Sequence, residues 1–420
     1  MGFTSNLREN FRFDFRFCDV FVYIKCKGFY VVFGLILKSI CKKTAGLTCL
    51  ICGMRMEKLC GALKKCLHIL VCVCVVSFMN CLLGCGLGFE NVHANSGITL
   101  VTWNVQTFFD GVKHGCEYDE FKKSSNWNQE KYLERLHRLC DAIAELDADV
   151  FVLQEIENEA VIQDICNQLA GRNWNASKNW NYSCFAKPEN TAIGCAVLSR
   201  FELSEMKVHD LDVRIHSKNQ PSLRYLMKVN VNIGGKDFVL MVCHWKSKSG
   251  GSVQTEIWRD WNESVLATQL QQTLELDGVG NLPVVICGDF NRDVREFIPF
   301  RKADEWAEAD ADVCENTKTG AESANILLRA AGIERKEEVT VYSPWFTDDG
   351  ELFCNTGTYF YKNNWEYIDQ IFCKGNIRIT EFSPCTNGPW ITGGGLPFSY
   401  KIYNGNGYSD HLPLKCKISF

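Results

Sequence analysis

From Ile98 onward, apolar residues fall into short runs whose spacing alternates between a strand period and a helix period. The runs ITLVTWNV (98–105), DVFVLQEI (149–156), AIGCAVLSR (192–200), YLMKVNVNI (225–233), DFVLMVCHW (237–245), PVVICGDF (283–290), YIDQIFCK (367–374) and LPLKCKISF (412–420) read as strands. Between the first two, Leu133, Leu136, Leu139 or Cys140, Ile143 and Leu146 recur every three or four residues and predict a helix from Gln129 to Leu146. A second helix is predicted from Glu256 to Leu276. This alternation, with some hairpins, predicts an α/β protein built on mixed sheets. No internal repeat or Pro/Ser-rich linker divides residues 98–420, which predicts one large domain, with the acidic stretch from Lys302 to Glu322 as a surface insertion.

Residues 1–97 follow a different plan. A basic start, Met54-Arg55-Met56-Glu57-Lys58 and Lys64-Lys65, precedes an apolar run from Leu67 to Leu83 that is interrupted by Ser77 and Asn80, with His68 near its start, which is the plan of an export signal. Leu82-Leu83-Gly84-Cys85 resembles a bacterial lipobox with Cys85 as the lipidated residue, while Val92-His93-Ala94 suits signal-peptidase cleavage before Asn95. The run also lies at the short edge of membrane-spanning length. The lipobox is the favoured ending. We therefore read residues 1–97 as a lipoprotein-type signal region, with translation starting at Met54 or Met56 and residues 1–53 untranslated. The body is then an exported bacterial protein, membrane-anchored by lipid or periplasmic or secreted. It is expected to be a monomer, with no protein partner inferred.

Composition changes the picture in two ways. With 46% hydrophobic and 23% charged residues the chain is of globular type. Residues 1–97 hold 12 Lys and Arg against 5 Asp and Glu, leaving 33 against 45 for residues 98–420, a net charge of −12. Such a body has no general attraction for a polyanion, so any phosphate chemistry must rest on local groups and a cation. Of the 23 cysteines, the 12 beyond residue 97 form no CxxC or Cys/His pair at zinc spacing. Cys243, Cys287, Cys373 and Cys416 lie in apolar runs and read as small buried hydrophobes.

Several predicted strands end in a polar residue of a type that phosphate hydrolysis needs: Asn104, Glu155, His244, Asp289 with Asn291, Asp369, and Asp410 with His411. One such residue is an ordinary loop cap; the recurrence is the signal. Carboxylates and amide oxygens are hard ligands suited to Mg²⁺ or Mn²⁺, and the two imidazoles suit proton transfer or phosphate contact. Arg224, which precedes a strand in SLRYLMKV, is either a phosphate contact or a solvated edge residue.

TWNV, LQEIEN, HWKS, GDFNRD, YIDQI and GYSDHLPL stand here in the order of the endonuclease/exonuclease/phosphatase (DNase I-like) family, which the chain resembles over about residues 98–420. Its motifs are most similar to those of bacterial exported nucleases. The resemblance implies a four-layer sandwich, two packed mixed sheets flanked by helices. It also implies Glu155 as the principal metal carboxylate, with Asn104 and Asp410 close to the ion. Asp289 and Asn291 would contact the phosphate, the attacking water or a second metal. Asp369 and His411 would form the general-base couple, and His244 would donate to the scissile phosphate or leaving oxygen. Lys246 and Lys248 resemble the substrate-side loop of the bacterial nucleases, and Trp245, Trp258, Trp261 and Trp365 are candidates for base stacking.

The function so implied is an exported Mg²⁺-dependent (or Mn²⁺-dependent) phosphodiesterase, a nuclease hydrolysing DNA or RNA by in-line attack of water. Two other readings stay open: a phosphoesterase acting on sphingomyelin or inositol phosphates, and a non-catalytic surface binding protein. Against the last stands the full set of expected ligand types, none of which a pure binder needs.

Overall fold

Runs that are apolar at every position mark strands covered on both faces, and two such stretches become the centres of two sheets. In the computed structural model β1 (Ile98–Phe108) lies parallel to β2 (Val150–Ile156). Between them come α1 (Asp119–Lys123) and α2 (Gln129–Leu146), and after them α3 (Glu159–Ala170) and the antiparallel pair β3 (Tyr182–Ala186) and β4 (Gly194–Ser199). The second sheet begins with β5 (Glu202–His209), β6 (Leu226–Ile233) and β7 (Lys236–His244). The helix α4 (Ser252–Asp277) then returns the chain to β8 (Val284–Asp289), which runs parallel to β7. There follow β9 (Leu327–Arg329), β10 (Thr340–Tyr342), the small hairpin β11 (Tyr359–Tyr361) and β12 (Asn364–Glu366), and β13 (Asp369–Lys374). Finally β14 (Arg378–Pro384) and β15 (Leu414–Ser419) rejoin the first sheet. The strand orders are β14-β15-β1-β2-β4-β3 and β9-β10-β13-β8-β7-β6-β5.

The structure describes residues 97–420 except 125, 173–178, 190, 212–219, 235, 278–280, 298–326 and 330–338, together with three strands nearer the start of the chain. The chain divides into two units, Met1–Val92 and His93–Phe420. The three strands, Phe13–Arg16, Asp19–Cys26 and Phe29–Gly34, form an antiparallel sheet in the first unit. The expected signal segment with Cys85 and Ala94, and the stretch from Lys302 to Glu322, lie outside the described residues.

In the second unit, alternate residues of each central strand face opposite ways. Leu100, Val150, Val152 and Val197 of the first sheet share one buried cluster with Met227, Val229, Leu240 and Val242 of the second. Their neighbours Val101, Trp103, Phe151 and Leu153 join Leu136, Ile143, Val161 and Ile165 of α2 and α3 in another. The helix α4 adds Leu266, Ala267 and Leu270 to the first cluster. The result is the α/β, DNase I-like arrangement of two packed mixed sheets flanked by helices. Each fully buried Leu, Ile or Val contributes about 1.5–3 kcal/mol. Cys243, Cys287, Cys373 and Cys416 are all buried among these apolar groups.

Helix α2 has the bounds its periodicity predicts, but its buried stripe starts at Tyr132, and Leu133 is 40% exposed. The helix α4 starts four residues earlier than the expected Glu256, because Gly250 and Gly251, at φ +92° and +109°, turn the chain there. The strands β5 and β14 are edge strands whose largely exposed, charged faces guard against pairing with other chains, and this hides them from hydrophobic pattern.

Gly288 holds β8 against β7: at φ +139°, a Cβ there would lie 1.9 Å from the Cys243 carbonyl oxygen. Gly288→Ala is expected to lower unfolding free energy by about 2–4 kcal/mol, through a strained backbone and a forced separation of the parallel pair. Urea denaturation measures this, and a midpoint equal to wild type would contradict it.

Candidate functional site

Register brings three of the predicted polar residues into one row. His244, the last residue of β7, lies opposite Asp289, the last of β8, which lies opposite Asp369, the first of β13. All three are buried. The first sheet meets this row with Asn104, Glu155 and His411.

Glu155 reaches the row through a break in strand alternation. The pairing of β2 shifts between Gln154 and Ile156, and Glu155 sits at φ +67°, a conformation that costs a non-glycine residue about 1–2 kcal/mol. Gln154 and Ile156 stay buried while the carboxylate of Glu155 turns out of the sheet. Its Oε2 accepts from the Thr107 amide at 2.5 Å and its Oε1 from Asn104 Nδ2 at 3.1 Å.

Gln106 and Thr107 are themselves left-handed, at φ +53° and +46°. They are held so by Arg135 of α2, 2% exposed, which donates to the carbonyls of Val105 at 2.9 Å, Thr107 at 3.0 Å and Gln106. Its guanidinium lies 3.7 Å from the Tyr400 ring centroid and 4.6 Å from that of Phe108. With these carbonyls on Arg135, the Thr107 amide meets Glu155 and the Gln106 amide meets Asn104 Oδ1 at 2.9 Å. Sequence reasoning missed Arg135; the available signal was a cation on the apolar stripe of a predicted helix.

The amide of Asn104 joins the two sheets. Because Oδ1 is taken by Gln106, Nδ2 faces the carboxylates, donating to Glu155 and, at 2.9 Å, to Asp289 Oδ2. Asp289 Oδ1 accepts from the Asn291 amide at 2.8 Å, and the Asn291 side chain, at a φ of +47°, donates to the Trp245 carbonyl at 3.2 Å. Burial pushes the Asp289 carboxyl up, and the nearby Asp369 charge adds to this while His411 opposes it.

His411 Nδ1 and Asp369 Oδ2 stand 2.7 Å apart, both buried. Burial alone would lower the imidazole, but the Asp369 charge and hydrogen bond, with Asp289 and Asp410 beyond, raise it above the ordinary histidine value. Backbone contacts fix the pair: Trp103 Nε1 donates to the His411 carbonyl at 2.9 Å, and the Leu412 amide to the Thr358 carbonyl at 2.7 Å. Ser409 Oγ accepts from the His411 amide at 3.0 Å and donates to the Asn104 carbonyl at 2.6 Å. Asp410, between Ser409 and His411 in sequence, is half-buried, and its charge is among those that raise His411.

His244 completes the cluster. Its Nε2 is 3.7 Å from Asp289 Oδ2 and 3.9 Å from Glu155 Oε1, and its buried Nδ1 has no hydrogen-bond partner. Burial, then the charges of Arg224 and His411, hold it well below the ordinary histidine value, and the two carboxylates lie too far for hydrogen bonds to reverse this. Arg224, half-buried, reaches the Trp245 carbonyl at 3.3 Å.

Among the described residues, the Nζ hydrogen bonds and ion pairs of Lys246 and Lys248 go elsewhere than the cluster, although the Lys246 charge is among those that lower His244. Lys246 Nζ turns back on Ser247 and Ser249, while Lys248 Nζ pairs with Glu296 at 2.9 Å and Glu366 at 3.3 Å. The expected stacking role of Trp245 and Trp258 is corrected: they are only 2% and 5% exposed, and Trp245 is committed to Phe290 at a centroid distance of 4.6 Å. Trp261 and Trp365 are half-buried. A further missed residue, Glu157 of LQEIEN, is buried and accepts from the Asp110 amide at 2.6 Å, its carboxyl pushed up to about 7 by burial. Asn158 caps α3 by accepting from the Val161 amide at 3.0 Å.

Glu155, Asp289 and Asp410 offer hard anionic oxygens, and the buried Asp369 Oδ1 has no hydrogen-bond partner. Such donors suit a hard divalent cation. Asp289, Asp369 and His411 also each place a ligand-type atom within 4.8 Å of the others. The Nδ1 of His411, however, is committed to Asp369.

A family model described as "Endonuclease/Exonuclease/phosphatase family" matches residues 101–411. Nocturnin of Xenopus laevis is 23% identical over 299 residues, 70% of this chain, and the chain spans 65% of that relative's length. The human Nocturnin catalytic domain, solved with bound sulfate, aligns with a TM-score of 0.41 at 17% identity, covering 77% of this chain and 94% of that one. Truncated Caenorhabditis elegans TDP2 aligns with a TM-score of 0.45 at 12% identity, covering 77% and 97%.

The lowered His244 has a pH consequence with a definite sign. A histidine depressed in the folded state gives stability that is present above its unfolded value of about 6.5 and lost as pH falls, because the unfolded chain takes up the proton first. Between pH 6.5 and 5, wild type should lose up to about 1.4 kcal/mol per pH unit that His244→Asn does not lose. Denaturant unfolding of both proteins across this range measures the difference, and parallel curves would contradict a buried neutral His244.

Proposed function

The chain belongs to the endonuclease/exonuclease/phosphatase family, and from this premise we propose that it is a metal-dependent phosphodiesterase, a nuclease that hydrolyses DNA or RNA by in-line attack of water. Family membership carries the coarser part, a phosphoester hydrolase of a class generally dependent on metal. One observation supports the specific reading of the site. The buried Asp369 and His411 couple stands beside Asp289, with His411 Nε2 4.0 Å from Asp289 Oδ2 and Glu155 joined to the same group through Asn104.

In this reading Asp369 holds the Nδ1 proton of His411 and leaves Nε2 to take a proton from the attacking water. His244, neutral and buried, donates a hydrogen bond to the phosphate or the leaving oxygen. Asn104 and the Thr107 amide hold the Glu155 carboxylate in one orientation, and Asn291 and Arg224, which both reach the Trp245 carbonyl in the free protein, would turn to contact the phosphate. A divalent cation held by Glu155, Asp289 and Asp410 would neutralise charge on the nonbridging oxygens and bring the basicity of His411 towards neutrality. The reading includes export, for which the support is the leader pattern before Ile98.

The test is cleavage of single-stranded and plasmid DNA and of RNA, run beside sphingomyelin and inositol phosphates, with Mg²⁺, with Mn²⁺ and with EDTA. Metal-dependent cleavage of nucleic acid alone is expected, and hydrolysis confined to the lipid or inositol esters would overturn the nuclease reading. Glu155→Gln should raise the Mg²⁺ concentration for half-maximal activity by about tenfold or more, with part of the lost rate recovered at high Mg²⁺. An unchanged Mg²⁺ titration alongside a lost rate would refute the ligand role.

A further inference from the structure

The hairpin β11–β12 stands apart from both sheets and sends one face to the catalytic imidazole. Its strands are three residues each, joined by Lys362 and Asn363 at φ +47° and +64°, the left-handed pair of a tight two-residue turn. Period-2 alternation sorts its aromatics. Phe360 packs on Trp365 at a centroid distance of 5.1 Å, and Trp365 in turn packs on the core under the first sheet. That contact anchors the hairpin.

Tyr359 and Tyr361 share the other side. Tyr359 forms an isolated bridge with His411 and sets its ring 4.8 Å from the imidazole at 39°. The Tyr361 ring follows at 6.2 Å and 22°, and Lys362 Nζ lies 5.2 Å over it. The three rings form a ladder leading outward from His411, which is buried, through the half-buried Tyr359 to Tyr361, which is 48% exposed. The anchoring contacts are made by Phe360 and Trp365, whereas the Tyr361 ring, beyond its stack on Tyr359 and the Lys362 cation, leaves nearly half of its surface to solvent. A half-exposed ring nearly coplanar in orientation with its neighbour, next to a lysine and in line with the catalytic histidine, has the chemistry of a stacking platform for a nucleobase beside a phosphate.

We propose that Tyr361, backed by Tyr359 and flanked by Lys362, is the subsite that stacks the nucleobase next to the scissile phosphate. The substrate class is therefore a single-stranded nucleic acid, because a paired base has both faces covered within the duplex. This rests on the nuclease reading above. It also accounts for how a body with a net charge of −12 beyond residue 97 engages a polyanion: by a local ring face and one cation rather than by its general field.

The experiment uses the full chain and two single-stranded oligonucleotides, one intact and one lacking the base beside a single cleavable phosphodiester. Tyr361→Leu removes the ring and keeps the bulk; Tyr361→Trp keeps a stacking face. With the intact strand, Tyr361→Leu should raise KM by about 5- to 150-fold at nearly unchanged kcat and melting temperature, and Tyr361→Trp should restore it. Wild type should show a matching loss on the abasic strand, where Tyr361→Leu should add nothing. If wild type cleaves the intact strand and Tyr361→Leu equals it, the stacking subsite is wrong and the nuclease reading stands. If wild type cleaves neither strand while hydrolysing bis(4-nitrophenyl) phosphate, the nucleic-acid reading fails and the subsite with it.

Discussion

The hydrogen bond between Asp369 and His411 is the constraint on which the site depends. Asp369 opens a central strand of the second sheet, and His411 lies just before a central strand of the first. A carboxylate 1% exposed costs several kcal/mol unless it is partnered, and the partner here comes from the opposite sheet. To bring the imidazole within 2.7 Å, the ends of the two sheets must meet, and their meeting is what places Glu155, Asn104, Asp289 and His244 in one cleft.

The first sheet accommodates this junction with local strain. Glu155, Gln106 and Thr107 all occupy left-handed backbone conformations, which non-glycine residues adopt where surrounding contacts over-determine them. Arg135 supplies those contacts from the far side, using a buried cation to bind three successive carbonyls and thereby aiming the opposite amides at Asn104 and Glu155. A guanidinium suits this place because it stays charged through neutral pH and its flat faces stack on Tyr400 and Phe108.

Much of this was legible in the sequence because hydrophobic period and strand ends are local properties. The central strands announce themselves as continuous apolar runs, and α2 by its spacing; Asn104, His244 and Asp289 were visible as the polar residues on which such runs stop. What was not legible depends on contacts between distant segments. Leu133 and Tyr132 are adjacent and both apolar, so only packing decides which faces the core. Trp245 follows a polar histidine and looks exposed, yet Phe290 and Phe297 cover it. The acids that engage Lys248 lie 48 and 118 residues away, and the carbonyls that need Arg135 lie 28 to 30 residues away.

In the proposed reaction Asp369 and His411 work as one unit on the attacking water. The direct measurement is a double-mutant cycle on kcat with Asp369→Asn, His411→Ala and the double variant, with Mn²⁺ affinity measured in parallel. Each single change should lower kcat by orders of magnitude with little change in Mn²⁺ affinity, and the double variant should be scarcely worse than His411→Ala alone, since residues acting as a unit are strongly non-additive. Fully additive losses would show that Asp369 and His411 act separately, which would contradict a base couple formed by the two.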